Sequence, residues 1–213
     1  MIKDSKRTDK ICTILRTLYP EVKTQLYHKN PFELLVATIL SAQCTDKQVN
    51  RVTRSLFKKL PTPHAFANAP IELIEELIHS TGFFRNKAKN IKNCAQTLIE
   101  QYGGVVPESL EELVKLPGVG RKTANVVRGA AFGFPGIVVD THVSRISQRL
   151  DLTDHKDPVK IEFDLMEQIP REAWNDFSLH LIYFGREICK ARKPSCPRCP
   201  FENLCHFPGK ISA

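Results

Sequence analysis

The chain lacks any apolar run long enough to cross a bilayer, since its most apolar stretch, Phe32 to Ala42, is too short and is interrupted by Glu33. Its start, Met1 to Lys10, is charged and lacks the apolar core of a signal peptide, so the reading expects an intracellular, cytoplasmic protein and no membrane partner. No segment alternates apolar and polar residues for long, which excludes a half-buried sheet and predicts an all-α fold. There is no internal repeat and no low-complexity linker. The 213 residues, 42% of them hydrophobic, are enough for one domain or two small ones with a real core. Acidic residues are in deficit, 23 against 31 lysines and arginines, and the formal net charge of +8 favours a polyanionic partner where a motif supports one. The seven cysteines do not read as a disulfide framework in an intracellular chain.

The rest of the chain is organised around Leu116 to Val127, Leu-Pro-Gly-Val-Gly-Arg-Lys-Thr-Ala-Asn-Val-Val. Ser109 and Glu112 have capping-box spacing ahead of Leu110, Leu113, Val114 and Leu116, which predicts a short helix over 109–116 that Pro117 ends. Gly118 and Gly120 allow a tight reversal through positive φ and close backbone approach. A second helix then starts at about Arg121, with Ala124, Val127, Ala130 and Ala131 on one face. This helix-hairpin-helix leaves backbone N–H groups at a helix start facing outward, beside Arg121 and Lys122, as a phosphate site. Lys122 has two readings. It is either one more solvated lysine, at a helix end where cations are disfavoured, or an amine whose neutral, nucleophilic form is favoured by that same dipole and by Arg121.

Further helices follow from apolar spacing and caps. Ile11, Cys12, Ile14, Leu15 and Leu18 mark a docking helix over 8–18, and Asn30-Pro31 caps a helix so apolar over 32–40 that it should be central. After the polar break Ser41 to Asp46 come a helix bearing Val49, Val52, Leu56 and Leu60, then helices over 70–78 and 86–102. An aromatic turn, Thr81 to Arg85, lies between the last two. Asp140 is a good N-cap for a helix bearing Val143, Ile146 and Leu150, with His142, Arg145 and Arg149 on its polar side. Asp157-Pro158 repeats the signal for a helix to Ile169, and a last helix runs over 172–188.

Cys189, Cys196, Cys199 and Cys205 leave six, two and five residues between neighbours. Zinc ribbons usually present two Cys-x-x-Cys knuckles, whereas one wide loop suits a four-iron, four-sulfur cluster better, with zinc remaining open. Lys190, Arg192, Lys193 and Arg198 lie among the cysteines. They read as a phosphate clamp or as charges that offset the thiolates.

Four motifs in order, Leu-Ser-Ala-Gln at 40–43, Leu-Pro-Gly-Val-Gly-Arg-Lys-Thr-Ala at 116–124, Val-Asp-Thr-His at 139–142 and the cysteine loop, closely resemble the bacterial endonuclease III family. Its members are DNA glycosylase/AP lyases of the helix-hairpin-helix superfamily, and the resemblance spans nearly the whole chain. It implies a six-helix barrel domain over 22–135 and a discontinuous domain, 1–21 with 136–213, that holds a [4Fe-4S] cluster on Cys189, Cys196, Cys199 and Cys205. It also implies that DNA lies across the cleft between them. Lys122 would displace a damaged base and form an imine, with Asp140 assisting. Gln43 would fill the gap left by the flipped nucleotide. Phe83 reads equally as a wedge in the stack or as core. The DNA contacts implied or read at the hairpin and loop are Gly118, Gly120, Arg121, His142, Lys190, Arg192 and Lys193. The partner would be duplex DNA with oxidised pyrimidines or abasic sites, bound by a nucleoid-associated monomer. Two departures bear on damage preference: Cys44 stands where a small residue is common, and Phe83-Phe84 where a leucine wedge is expected. The rivals are a monofunctional mismatch or adenine glycosylase, which typically lacks the lysine and carries a further C-terminal domain, and a DNA-binding module without activity.

Overall fold

The computed structural model describes residues 5–210; residues 1–4 and 211–213, the ends of the expected discontinuous domain, lie outside them. Every regular element among the described residues is helical. In order these are α1 (Ser5–Leu18), α2 (Pro31–Leu40), α3 (Asp46–Lys59), α4 (Pro63–Asn68), α5 (Ile71–Ile78), α6 (Phe84–Tyr102), α7 (Leu110–Leu113), α8 (Arg121–Phe132), α9 (Thr141–Arg149), α10 (Pro158–Gln168) and α11 (Trp174–Glu187). No helix among them is long and apolar enough to cross a membrane.

The chain divides into two compact units, one of Thr24–Phe134 and one formed by residues up to Lys23 with those from Pro135 onward. In the first, α2 packs on α3, α6 and α8, and α6 packs also on α4 and α5. All of Phe32 to Leu40 is buried, as a helix apolar nearly all round requires. The one charge in that run, Glu33, accepts the Lys29 N–H at 2.8 Å, while its own N–H donates to the Asn30 side chain at 2.9 Å. The carboxylate is therefore paired rather than stranded. Phe32 meets Phe66 edge-on at 5.4 Å.

Phe66 belongs to α4, which the sequence reading did not foresee. At six residues it is too short to show a period, although Thr62 caps it by accepting the Ala65 N–H at 3.2 Å. The helix expected over 109–116 is shorter, Leu110–Leu113, because the chain tightens into turns in which Lys115 N donates to Glu112 O and Leu116 N to Leu113 O. In α8 the buried face is Ala124, Asn125 and Val127; Ala130, expected among them, is exposed.

The second unit packs α11 against α1 and α9, and α10 against α9. Ile11, Leu15, Val143, Ile146, Leu165, Leu181 and Phe184 form its core. Beyond α11 the loop folds back, and Phe201 buries itself edge-on against Phe184 at 5.0 Å. That aromatic is buried in the helical core, with Ile188 and Leu204 of the same segment packed against it.

Candidate active site

At the hairpin, Leu116 N donates to Leu113 O at 3.1 Å and Val119 N to Leu116 O at 3.0 Å, closing the reversal between α7 and α8. Gly118 makes it possible. Its φ of +78° is left-handed, and a Cβ there would stand 2.8 Å from the Asn90 Cβ. Gly120 works differently from the expectation of positive φ: its backbone is extended (φ −91°, ψ 174°), and a Cβ would meet nothing within 4 Å. It is the N-cap residue of α8, and as a glycine it offers no side chain to the N–H groups of the first turn. Arg121 is half-buried and Lys122 exposed on that turn. The arrangement is an open helix start with a cation where the dipole disfavours one.

The start of α9 is built in the opposite way. Asp140 Oδ1 accepts the N–H groups of both His142 and Val143 at 2.8 Å. Both bonds go to one oxygen, so a carboxylate is fixed at the positive end of a helix with Oδ2 left out of the cap. His142 Nδ1 lies 3.1 Å from Arg145 Nη2, a contact in which the guanidinium can only donate. Burial, with Arg145 and Arg186 adding to it and Asp140 opposing, holds His142 below the ordinary imidazole range. Arg145 also donates to Gly185 O at 3.2 Å and to Cys189 O at 2.9 Å, joining α9 to the end of α11. His142 thus has its Nδ1 turned into the support behind Asp140.

The four loop cysteines are outside any disulfide and of intermediate exposure. They are near enough to interact: burial pushes the Cys199 thiol up to about 11, and Cys189, Cys205 and Cys196 raise it further, while a backbone hydrogen bond at Phe201 works the other way. Four sulfur donors close enough for three of them to disfavour the Cys199 thiolate are a set suited to a multiply positive group. Among the described residues, no three histidine, cysteine, aspartate or glutamate side chains converge closely enough to hold a single metal ion. Arg149 grips the loop, donating to Cys189 Sγ at 3.3 Å, Lys190 O at 2.9 Å and Ala191 O at 3.2 Å, with its guanidinium 4.2 Å over the Phe207 ring. Composition gave no hint of that role. Lys190, Arg192, Lys193 and Arg198 are all exposed.

Among the described residues, four non-glycine positions have positive φ, namely Gln43, Phe83, Asp151 and Lys193, and three of these were singled out from sequence as DNA contacts. Left-handed backbone strains a residue with a Cβ, by of order 1 kcal/mol or more, and such strain collects at functional loops. Gln43 is exposed, and Phe83 is 67% exposed, so its alternative as a core residue does not hold. Sequence reasoning missed Lys87 altogether. This buried lysine on α6 donates through Nζ to Leu40 O and to Thr81 O, both at 2.8 Å. Burial lowers its pKa from the ordinary lysine range, and the neighbouring Cys44 opposes that.

With that geometry in hand, comparison with known proteins finds the HhH-GPD superfamily base excision DNA repair protein family matching residues 36–171. The chain is similar to endonuclease III of Synechocystis sp., at 53% identity over 96% of this chain and 94% of that one. It is also similar to endonuclease III of Bacillus subtilis, at 52% identity over 88% and 86%. Among solved structures, a trapped endonuclease III–DNA covalent intermediate with an estranged adenine superposes with a TM-score of 0.93, at 46% identity and 97% coverage of both chains.

Proposed function

Since the chain belongs to the endonuclease III family, and so is a DNA glycosylase and AP lyase of base excision repair, we propose that Lys122 is its nucleophile and Asp140 its charged partner. The observation that carries this reading is the start of α8, where left-handed Gly118 and side-chain-free Gly120 leave the first turn open to a phosphate and Lys122 stands exposed on it.

A base within the stack is out of reach, so the damaged nucleotide is flipped out. The neutral Lys122 amine attacks the sugar C1′, the damaged base departs with the bonding electrons, and the ring opens to an imine. Loss of a C2′ proton then expels the 3′ phosphate and cuts the strand. Asp140, fixed at its helix start, stabilises positive charge on the sugar as the base leaves and takes part in the proton transfers. Hairpin N–H groups, Arg121 and the basic loop at Lys190, Arg192 and Lys193 hold phosphates. Gln43 and Phe83 occupy the gap and the stack at the lesion.

Cys189, Cys196, Cys199 and Cys205 would hold a [4Fe-4S] cluster, which supplies a rigid positively charged core binding the loop together. No step of the reaction runs through it. The gathered thiols and the Arg149 grip support this reading; elemental analysis should find iron and sulfide, and zinc alone would contradict it.

The substrate is duplex DNA carrying an oxidised pyrimidine or an abasic site. A panel of single-lesion duplexes tests this. The protein should release oxidised pyrimidines and cut the abasic strand, whereas base release without cutting would mean a monofunctional glycosylase. Binding with neither would mean a module without activity.

A further inference from the structure

Lys87 sits where two chain segments far apart in sequence need the same cation. Leu40 is the last residue of α2, and its carbonyl is one of the orphans at a helix C-terminus. Ser41, Ala42 and then Gln43, in left-handed backbone, follow directly. Thr81 ends the short turn His79–Thr81, and Gly82 and left-handed Phe83 follow directly. The Lys87 ammonium donates to both carbonyls at 2.8 Å, and the Lys87 backbone N–H donates to Phe83 O at 3.1 Å. One residue therefore touches the root of the Gln43 loop and both sides of the Phe83 turn.

A buried cation is costly unless its donors are satisfied, and an apolar side chain of similar length would avoid that cost only by leaving the Leu40 and Thr81 carbonyls without this donor. Pairing those two carbonyls is the local, stabilising part of what the lysine does. What the ammonium adds is a link between two carbonyls 41 residues apart, each two or three residues before an exposed, strained side chain. Support for the second segment comes from Gln48 of α3, whose Nε2 donates to Ser80 Oγ at 2.5 Å, and from the His79 ring, 4.4 Å from Phe84. The turn is thus held on the protein side and bare on the other.

We infer that Lys87 is a positioning residue that fixes the Gln43 loop and the Phe83 turn in one register, so that both side chains enter a lesion-containing duplex together. The inference rests on the reading that Gln43 and Phe83 contact DNA at the lesion. A loosened clamp leaves each loop to be ordered when DNA binds, and that cost falls on lesion recognition rather than on phosphate contact.

The test compares Lys87→Met, Gln43→Ala with Phe83→Ala, and the triple variant, all in the full protein. The readouts are affinity for a duplex with a stable abasic analogue, affinity for undamaged duplex, and fluorescence of 2-aminopurine opposite the analogue as a report of unstacking. Lys87→Met should weaken analogue binding by about tenfold and suppress the fluorescence rise, with undamaged-duplex affinity within about twofold of wild type. In the triple variant Lys87→Met should add almost nothing, because the side chains it positions are gone. Equal losses on damaged and undamaged duplex, or a full additional loss in the triple variant, would make Lys87 a general structural group and overturn the inference. If Gln43→Ala with Phe83→Ala leaves analogue binding unchanged, the underlying reading of those two residues fails instead. Should Lys87→Met not fold, Lys87→Gln, which keeps two N–H donors without the charge, carries the same comparison. Failure of both to fold would leave Lys87 as a core group only and also overturn the inference.

Discussion

The helices α8 and α9 begin with opposite devices. At α9, Asp140 closes the start by accepting two N–H groups at 2.8 Å, which fixes a carboxylate in place. At α8, Gly120 closes nothing, and the first turn carries Lys122 against the dipole. A stable protein gains from the first and loses from the second. On the proposed function, the difference means that the open start is kept for a ligand that supplies negative charge from outside, whereas the closed start holds its own. Perturbing each start in the direction of the other is the way to test that contrast.

Removing the charge from the closed start should have the largest effect. Asp140→Asn keeps a side chain that caps, so its melting temperature should stay near wild type while single-turnover base release falls about 100-fold or more. Asp140→Ala should match that kinetic loss and also destabilise the fold by about 1 kcal/mol, which for a protein of this size is roughly 2–4 °C. Equal kinetics for Asn and wild type would reduce Asp140 to a cap. Next comes Gly118→Ala, which places a Cβ 2.8 Å from Asn90 Cβ at a φ of +78° and should cost roughly 1–3 kcal/mol in denaturant melts.

Closing the open start is a smaller and more telling change. Gly120 already has the extended backbone of an N-cap, with open space around its missing Cβ, so serine fits there without strain. Gly120→Ser should raise stability by a few tenths of a kcal/mol and yet weaken duplex binding several-fold, roughly, since its hydroxyl competes with phosphate for the first-turn N–H groups. A gain in both would show that no phosphate uses them. The smallest effect belongs to the cysteine loop: Lys193→Ala should flatten the log–log dependence of binding on salt by about one unit if Lys193 meets a phosphate.

Much of this contrast was legible in the chain because capping is local. Asn30-Pro31, Ser109, Asp140 and Asp157-Pro158 each announced a helix within three residues, and each side chain accepts the expected N–H. The hairpin was legible for the same reason, although only Gly118 uses left-handed backbone and Gly120 serves as an empty cap. What stayed hidden depends on distant partners or on strain. α4 is too short to show a period. Gln43, Phe83 and Lys193 take positive φ with no glycine to signal it. Lys87 reads as one more solvated lysine near a helix start until the chain brings Leu40, 47 residues away, to its ammonium.

The central claim is that the amine on the open start of α8 attacks the sugar. Borohydride reduces an imine to a permanent link, so the protein should be trapped on an abasic duplex, and peptide mapping should place the link on Lys122. Lys122→Gln keeps a polar side chain of similar reach and leaves the hairpin glycines untouched. It should still bind the duplex but give no trapped complex and no strand cutting. A borohydride-stable complex at wild-type level with Lys122→Gln would mean that another amine is the nucleophile.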